Sequence, residues 1–431
     1  MMVVLPVTLG TFLAILVLAR LRVPLAVAII AGALVLAFAL GLGPADAARA
    51  CLAGATTSMA LGVAVTVALL LTISESMRLG GQLEAIVTLS GALLRRPIAT
   101  MAVLPALIGL LPMPGGALFS APMVEAAAGR GALGGDRLAA INYWFRHVWE
   151  YFWPLYPGVI LAMTLTGTDP ASFALIQLPL GAFMATAGVW LLRGMPSALR
   201  TVRPPAPAGT IRKLLLATGP LWATLLAWIG AAAVGTAFRP DESGEVGNDL
   251  VRFVPIVFAL LVGITWSSRH ARLGLGGALR IFAGRTTLSL VAVVVAVMVF
   301  QGVLARTGAP ERIASEMTAA GLPVPLVVVA LPLLAGVITG LAFGFVGTSF
   351  PIVLPLLAAV PSLGPVRPWA VLAYACGHIG MMASPLHLCY VVSNRYFATG
   401  FGPVYRLILP LLVLQTIFAA AYVGALLWLL S

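Results

Sequence analysis

The fourth apolar segment of the chain carries an unusual density of ionisable and aromatic residues. Arg146, His147 and Glu150 lie between Asn142 and Pro157, although only 9% of all residues are charged. A charged side chain inside a membrane costs about 2.5–3.5 kcal/mol on insertion scales, so its presence there indicates a function. The planar guanidinium of Arg146 matches a carboxylate, which makes Arg146 the candidate partner of an anionic solute.

The spacing of Arg146 and Glu150 leaves two interpretations open. The two residues are four positions apart, so on a continuous helix their side chains share a face and can pair. One interpretation is a structural ion pair that fixes this helix. In the other, Glu150 holds Arg146 in place for a solute or carries a proton.

A matching pattern occurs in the second half of the chain. His147 precedes Pro154 by seven residues, and His378 precedes Pro385 by seven residues. Histidine titrates near pH 6.5, so these two histidines and His387 are candidates for solute binding or proton exchange. A proline within a helix frees backbone carbonyls, which membrane proteins tolerate where they line a cavity or bind a cation. A buried core histidine and a simple packing kink are the alternatives.

Segments rich in small residues precede both patterns. Ser120-Ala121-Pro122 is echoed by Ser349-Phe350-Pro351 at an offset of 229 residues. Small residues let the backbone approach a solute closely, and helix N-termini favour anions, although glycine-rich contacts are also common in membrane packing. The candidate solute ligands in these segments are Gly115, Gly116, Ser120, Thr348 and Ser349.

The composition is that of a polytopic α-helical membrane protein. The chain is 61% hydrophobic with a mean hydropathy of +1.08, and only 9% charged, whereas soluble domains carry about 25% charged residues. Apolar stretches of about 20 residues recur along the chain, and each is long enough to cross a bilayer. The net charge of +12 is carried by short loops, which favours a membrane topology signal over a nucleic-acid partner.

The sequence contains no signature of metal binding or nucleotide hydrolysis. Cys51, Cys376 and Cys389 have no metal-type spacing, and neither a Walker loop nor a His-Glu-x-x-His motif occurs. We therefore expect no metal site, no ATP hydrolysis and no cofactor, apart from H⁺ or Na⁺ as a coupling ion. Residues 1–19 lack the basic start of a signal peptide, so this segment is predicted to remain as a first span.

Ten apolar segments have the length of full membrane spans. Two further segments, 97–128 and 323–360, are too long for one span and contain Pro and Gly at 112–116 and at 340–347, which interrupt helices. Each is predicted to be a re-entrant hairpin, with tips at 112–122 and 344–351. The ten predicted spans are 2–19, 23–43, 58–77, 138–166, 170–192, 215–238, 251–267, 287–305, 369–393 and 407–430.

Loop charges indicate the topology. One set of loops holds 18 of the 25 Lys and Arg residues and the other set holds six, so the first set is assigned to the cytoplasm and both termini to the outside. The proline-rich linker 196–213 divides the chain into halves 1–195 and 214–431. Each half has five spans, an odd number, so the second half is inverted. The predicted fold is all-α, with two inverted repeats of five transmembrane helices plus one re-entrant hairpin each.

This layout resembles the ion-transporter superfamily of secondary carriers, which includes gluconate permeases, citrate and dicarboxylate symporters and arsenite carriers. The stretches 111–122 and 142–157 are similar to an uncharacterised prokaryotic membrane family of unknown function. The resemblance implies a homodimer in membrane lipid and an elevator movement of hairpins and broken helices against a fixed scaffold. The Ser-Asn-Thr hairpin tips of the sodium-coupled carriers are absent, so protons are favoured over sodium for coupling.

These features favour a secondary active transporter that moves a small anionic organic solute across a prokaryotic cytoplasmic membrane. The alternative is a membrane-embedded enzyme that uses His147, Glu150 and His378 as acid-base groups on a lipid-like substrate. The inverted repeat argues against the enzyme, because alternating access needs two-fold symmetry and catalysis does not. The two blocked hairpins argue against a passive channel.

Overall fold

The protein is built from helices throughout the part of the chain that the structure describes. This part of the computed structural model comprises residues 4–110, 116–129, 131–200, 204–237 and 245–430. It contains 21 α-helices, three short 3-10 helices and no strand. The all-α class predicted from the hydropathy pattern is confirmed.

The α-helices are numbered in chain order. The first ten are α1 (Val4–Arg20), α2 (Leu25–Ala39), α3 (Pro44–Thr56), α4 (Ser58–Leu79), α5 (Gln82–Leu93), α6 (Pro97–Gly109), α7 (Ala117–Ala128), α8 (Gly135–Arg146), α9 (Pro157–Leu165) and α10 (Pro170–Gly188). The others are α11 (Thr210–Ala217), α12 (Gly219–Ala237), α13 (Glu245–His270), α14 (Leu275–Phe282), α15 (Arg285–Thr307), α16 (Ala309–Ala319), α17 (Val324–Thr339), α18 (Ala342–Ala358), α19 (Val366–Met382), α20 (Leu388–Tyr396) and α21 (Phe401–Leu430). The 3-10 helices are Val189–Leu192, Ser197–Arg200 and Pro361–Leu363.

Several helices have the length and composition of membrane spans. Within the described part of the chain, five of them are continuous helices. A sixth candidate is the pair α11–α12, in which the two helices are bent by 59° relative to each other. The total of ten spans stays a prediction, because α1 and α2 are apolar but shorter and two other predicted spans are divided. The continuous helices that qualify among the described residues are Ser58–Leu79, Pro170–Leu192, Phe253–His270, Arg285–Thr307 and Phe401–Leu430.

Both segments that were predicted as hairpins consist of two helices in mutual contact. α6 packs against α7, and α17 packs against α18. The second hairpin turns at Gly340, whose φ of 62° is a conformation that suits glycine. The interruption predicted at 340–347 contains this turn, whereas the tip at 344–351 is wrong, because α18 begins at Ala342 and runs through these residues. The tip at 112–122 is also wrong for residues 117–122, which belong to α7, and residues 111–115 lie outside the described part. Re-entry of each hairpin from one side of the membrane stays a prediction.

The helices that follow the hairpins are broken at the places indicated by their prolines. Residues 147–156 separate α8 from α9 and contain Pro154, and residues 383–387 separate α19 from α20 and contain Pro385. The structure shows an interruption at each of the two predicted places, although α8 already ends at Arg146, eight residues before Pro154. The role of the two prolines in coupling stays a prediction.

Four short helices occupy segments that were predicted as loops. These helices, α3, α5, α14 and α16, are 13 residues long or less, too short to cross a bilayer. The end of the predicted linker is also helical, because α11 begins at Thr210 and packs against α5. Local packing thus gives structure to connections that hydropathy alone leaves open.

The order of elements is the same from α1 to α10 and from α12 to α21. In each series, two helices, a short helix, a long helix and another short helix precede a hairpin, a broken helix and a long last helix. Contacts between the series are reciprocal, since α4 packs on α13 and α15 on α2, while α7 packs on α20 and α18 on α9. The halves 1–195 and 214–431 and their inversion stay predictions.

Candidate functional site

The two broken helices meet in the interior of the protein. The hydroxyl of Tyr143 on α8 donates a hydrogen bond of 3.0 Å to the carbonyl of Met382 at the end of α19. In the opposite direction, the hydroxyl of Tyr374 on α19 donates one of 2.7 Å to the carbonyl of Glu150 in the first break. Each phenol satisfies a carbonyl that has no helical partner, so the pair fixes one break against the other.

Three histidines and a glutamate form a buried group at this junction, which we term the histidine cluster: His147, Glu150, His378 and His387. The Nε2 atoms of His147 and His387 lie 3.0 Å apart. One oxygen of Glu150 lies 3.9 Å from His147 Nε2 and the other lies 3.9 Å from His378 Nε2. No member is more than 7% exposed. Sequence reasoning named all four residues, and the structure brings them together.

The expectation that Arg146 and Glu150 share a helical face is wrong. α8 ends at Arg146, and Glu150 lies in a turn beyond the helix, where its backbone N–H donates to the carbonyl of His147. The four-residue spacing therefore no longer places the two side chains one above the other. The carboxylate of Glu150 lies near His147 and His378, and it remains an electrostatic neighbour of Arg146.

Arg146 is held between the two arms of the first hairpin. The residue is only 2% exposed. A Cβ atom added at Gly116 would lie 2.5 Å from Cζ of Arg146, so the guanidinium packs directly on the backbone of α7's first turn. A Cβ atom at Gly109, the last residue of α6, would clash with the carbonyl oxygen of Arg146. Gly116 thus lies where it was predicted, whereas Gly115 lies outside the described residues.

A buried hydrogen-bond network ties the first hairpin to both broken helices, and we term it the Asn142 network. Asn142 on α8 accepts a hydrogen bond of 2.6 Å from the hydroxyl of Ser120 on α7. Its amide donates to the carbonyl of Ala117 on α7 at 3.1 Å and to the hydroxyl of Ser393 on α20 at 2.9 Å. The hydroxyl of Ser120 is therefore engaged in attaching the hairpin, and its role as a solute ligand stays a prediction.

Replacing Asn142 by alanine is expected to destabilise the protein. The change leaves the hydroxyls of Ser120 and Ser393 without their buried partner, and each such group costs about 1–3 kcal/mol. Thermal unfolding in detergent measures the loss. The matched control is Thr186→Ala, which removes an exposed hydroxyl that bonds only to its own helix. Equal unfolding temperatures for the two variants would show that the network contributes no stability.

Thr348 and Ser349 lie inside a helix and not at a hairpin turn. Their hydroxyls donate to carbonyls four residues earlier in α18, those of Gly344 at 2.7 Å and Phe345 at 2.6 Å. Both residues are buried, at 2% and 0% exposure. The structure thus places the predicted hydroxyl ligands in the core, where their own helix already accepts their hydrogen bonds.

The turn of the second hairpin packs directly on the second break. A Cβ atom added at Gly340 would lie 2.9 Å from the backbone nitrogen of His387. The hydroxyl of Ser384 donates a hydrogen bond of 2.6 Å to the carbonyl of Val337 on α17. Pro385 therefore lies in a break whose course is fixed by the hairpin, and His387 is positioned by the same contact.

Pro154 has different surroundings from Pro385. It lines a small apolar cavity together with Thr224 and Trp228 of α12. The two prolines therefore both lie in breaks between helices, but they contact different groups.

Sequence reasoning missed the contribution of Cys389 to this junction. The potential ligand atoms of His147, His387 and Cys389 all lie within 4.8 Å of one another, and all three residues are buried. The two histidines are 240 residues apart in the chain, so no motif with a fixed spacing joins them. The available signal was the His387-Leu388-Cys389 sequence directly behind the predicted break at Pro385.

A cavity of about 630 Å³ lies between α4, α7 and the α14–α15 connection. It is lined by Glu75, Arg78, Phe119, Arg280 and Arg285, among others. Arg78 donates to Glu75 through both Nε and Nη2, at 2.7 and 2.5 Å. Because this pair is neutral as a whole, the other two arginines leave the cavity with a net positive charge. Phe119 belongs to the first turns of α7, so the cavity reaches the hairpin that holds Arg146.

Comparisons with known proteins give a family and a fold. A family described as "Protein of unknown function (DUF401)" matches residues 4–206 and 248–426. Among solved structures, MtrF of Neisseria gonorrhoeae, described as illuminating a class of antimetabolite efflux pumps, is similar with a TM-score of 0.52. Its identity is 14%, and the match covers 88% of this chain and 83% of that chain.

The structural likeness, at this low identity, shows a shared fold and nothing finer. A comparison with curated proteins found no match. The resemblance to the ion-transporter superfamily stays a prediction, whereas the similarity to an uncharacterised membrane family is confirmed. Because the family match covers well over half of its residues, the chain belongs to the DUF401 family of proteins of unknown function.

Proposed function

We propose that this protein is a secondary active transporter that moves a small anionic organic solute across the prokaryotic cytoplasmic membrane. One observation carries the proposal: the buried Arg146 lies between the arms of a hairpin and next to the histidine cluster, where two broken helices meet. In secondary transporters, solute and ion sites are built from such discontinuous helices. The fold shared with an efflux pump supports transport over a membrane-embedded enzyme.

The charge of Arg146 favours an anion as the solute. Arginine keeps its proton at any physiological pH, and its fork of donors matches a carboxylate through two parallel hydrogen bonds. Gly116, which packs on the guanidinium, has no side chain, and this suits the close approach of a solute to the guanidinium.

The positively charged cavity provides a route towards this site. Arg280 and Arg285 give it a net positive charge, and a cleft of one sign of charge concentrates oppositely charged solutes. Phe119, one of its lining residues, is three residues from Gly116 in the chain. In the proposed cycle an anion collects in the cavity and reaches Arg146 when the first hairpin moves together with α8 and α20.

The proposed movement is an elevator in which both hairpins and both broken helices shift together against the remaining helices of a homodimer. The reciprocal packing of α4 on α13 and of α15 on α2 supports a pair of inverted repeats as the scaffold. The contact of α7 with α20 and of α18 with α9 supports joint movement, because each hairpin packs on the broken helix of the other half.

A binding screen followed by a transport assay tests the proposal. Purified protein is screened by thermal shift against organic acids, amino acids, oxyanions and antimetabolites, the last because of the structural neighbour's description. A solute that binds is then offered to proteoliposomes under an imposed ion gradient. Accumulation of an anion above its outside concentration supports the proposal, and equilibration without accumulation would identify a channel. Chemical conversion of the solute would identify an enzyme.

Protons are the proposed coupling ion, because the hairpin tips lack the Ser-Asn-Thr sequence of sodium-coupled carriers. Transport into proteoliposomes is expected to follow an imposed pH gradient in sodium-free buffer. The control applies a sodium gradient at equal pH on both sides, with an ionophore that collapses the membrane potential in both experiments. Transport that responds to sodium alone would overturn the assignment of the ion while leaving secondary transport intact.

A further inference from the structure

We propose that His147, His387 and Cys389 form a binding site for a divalent transition-metal ion of the zinc class. Their ligand atoms lie within 4.8 Å of one another, and all three residues are buried. Two imidazoles and a thiolate are a ligand set that zinc prefers. This site does not depend on the proposed function, because it rests on the three side chains alone.

The distances are close to those of a tetrahedral site. Zinc binds histidine nitrogen at 2.0–2.1 Å and cysteine sulfur at about 2.3 Å, which sets ligand atoms about 3.3 Å apart for two nitrogens and about 3.6 Å for nitrogen and sulfur. The Nε2 atoms of His147 and His387 are 3.0 Å apart. The two nitrogens are therefore nearly at tetrahedral spacing, whereas the sulfur of Cys389, within 4.8 Å of both, has to move up to about 1 Å closer.

The imidazole of His147 is already oriented as a ligand. Its Nδ1 lies 2.6 Å from the carbonyl oxygen of Tyr143. The carbonyl can only accept a hydrogen bond, so Nδ1 carries the proton and Nε2 keeps its lone pair. Metal-binding histidines commonly donate a hydrogen bond from the ring nitrogen that does not bind the metal to a backbone carbonyl, and this bond holds the orientation of the ring. The lone pair of Nε2 faces His387 Nε2 at 3.0 Å, and the metal ion is proposed to take the place of the proton between these two nitrogens.

The charges around the site suit a divalent cation. A Cys389 thiolate and the carboxylate of Glu150, 3.9 Å from His147 Nε2, together balance the two positive charges of the ion. Arg146 is an electrostatic neighbour of both Cys389 and Glu150, so the metal ion, the thiolate, the carboxylate and the guanidinium together carry one positive charge. If the proposed function holds, an anionic solute balances that charge.

Metal titration of the purified full-length chain in detergent tests the site. Co²⁺ is the spectroscopic probe and Zn²⁺ the competitor, because a cobalt–thiolate bond adds absorption in the near ultraviolet. One ion per chain with this absorption is expected. Since even outer-shell changes cost metal sites about 10- to 100-fold in affinity, Cys389→Ser and His387→Gln are each expected to weaken binding by about 100-fold or more.

The chain offers matched controls for both variants. Cys376→Ser removes another buried cysteine and His270→Gln another histidine, and neither change is expected to alter the affinity. Cobalt binding that survives Cys389→Ser, or that lacks thiolate absorption, would overturn the proposal. If the ligand variants fail to fold, X-ray absorption spectroscopy of the zinc-loaded wild-type chain identifies the atoms bound to zinc. One sulfur and two nitrogens support the proposal, and oxygen ligands alone contradict it. If the wild-type chain binds the metal ion but accumulates no anion in proteoliposomes, only the proposed function is refuted.

Discussion

Arg146→Ala is expected to abolish solute binding and transport. The change removes the buried charge that is proposed to pair with the anion, and truncating one partner of such a pair costs about 2–5 kcal/mol, which is about 30-fold or more in affinity. Arg146→Lys is expected to restore little, because an ammonium cannot form the two parallel hydrogen bonds of a guanidinium. The measurement is solute binding to the purified variant, followed by uptake into proteoliposomes.

The control for this experiment is Arg395→Ala, which removes an exposed arginine at the end of α20. It is expected to bind and transport as the wild type does. If Arg146→Ala unfolds the protein, and the added change Glu150→Ala restores folding, then the two residues serve as a structural pair. The assignment of Arg146 as the solute ligand would then be abandoned.

Gly116→Ala is expected to weaken solute binding and transport while the protein stays folded. The φ of −57° at Gly116 allows alanine, but the added methyl would lie 2.5 Å from Cζ of Arg146 and 2.6 Å from Nη1. The end of a flexible side chain can move away, so the methyl displaces the guanidinium and leaves the helices in place. We expect a loss of solute affinity of about tenfold or more, equivalent to about 1.4 kcal/mol.

Gly402→Ala is the matched control for Gly116→Ala. A Cβ atom at Gly402, on α21, would meet nothing within 4 Å, so this variant is expected to keep wild-type affinity and unfolding temperature. Gly116→Ala with wild-type affinity would show that the position of the guanidinium is unimportant for the solute. A large drop in its unfolding temperature would show that the methyl disturbs the hairpin instead.

Local signals made the helical elements predictable. Pro154 and Pro385 marked helices that are broken, and the Pro- and Gly-rich centres of 97–128 and 323–360 marked two helical hairpins. These signals act within one or two turns of the chain, and they are therefore visible in a single sequence. A local signal of this kind marks the region of a turn but not its exact residue. The turn of the second hairpin is at Gly340, which takes the positive φ, whereas residues 344–351, predicted as the tip, remain helical.

The parts of the site that depend on distant contacts could not be predicted. The four-residue spacing of Arg146 and Glu150 suggested a pair on a helix, but the helix ends between them, and Glu150 faces two histidines from different parts of the chain. Ser120 was chosen as a solute ligand, yet its hydroxyl is used by Asn142. Cys389 joined the site only through the fold, because its neighbour His147 is far away in sequence.

The Asn142 network sets which pieces of the protein can travel as one body. Asn142 holds α7 through Ser120 and Ala117 and holds α20 through Ser393, so one side chain couples a hairpin to the broken helices of both halves. A hairpin that moved away alone would break the two hydrogen bonds between Asn142 and α7 in the buried interior. A translation of α7, α8 and α20 in concert leaves every bond intact. In the proposed elevator movement, this network favours a collective displacement over the opening of one hairpin.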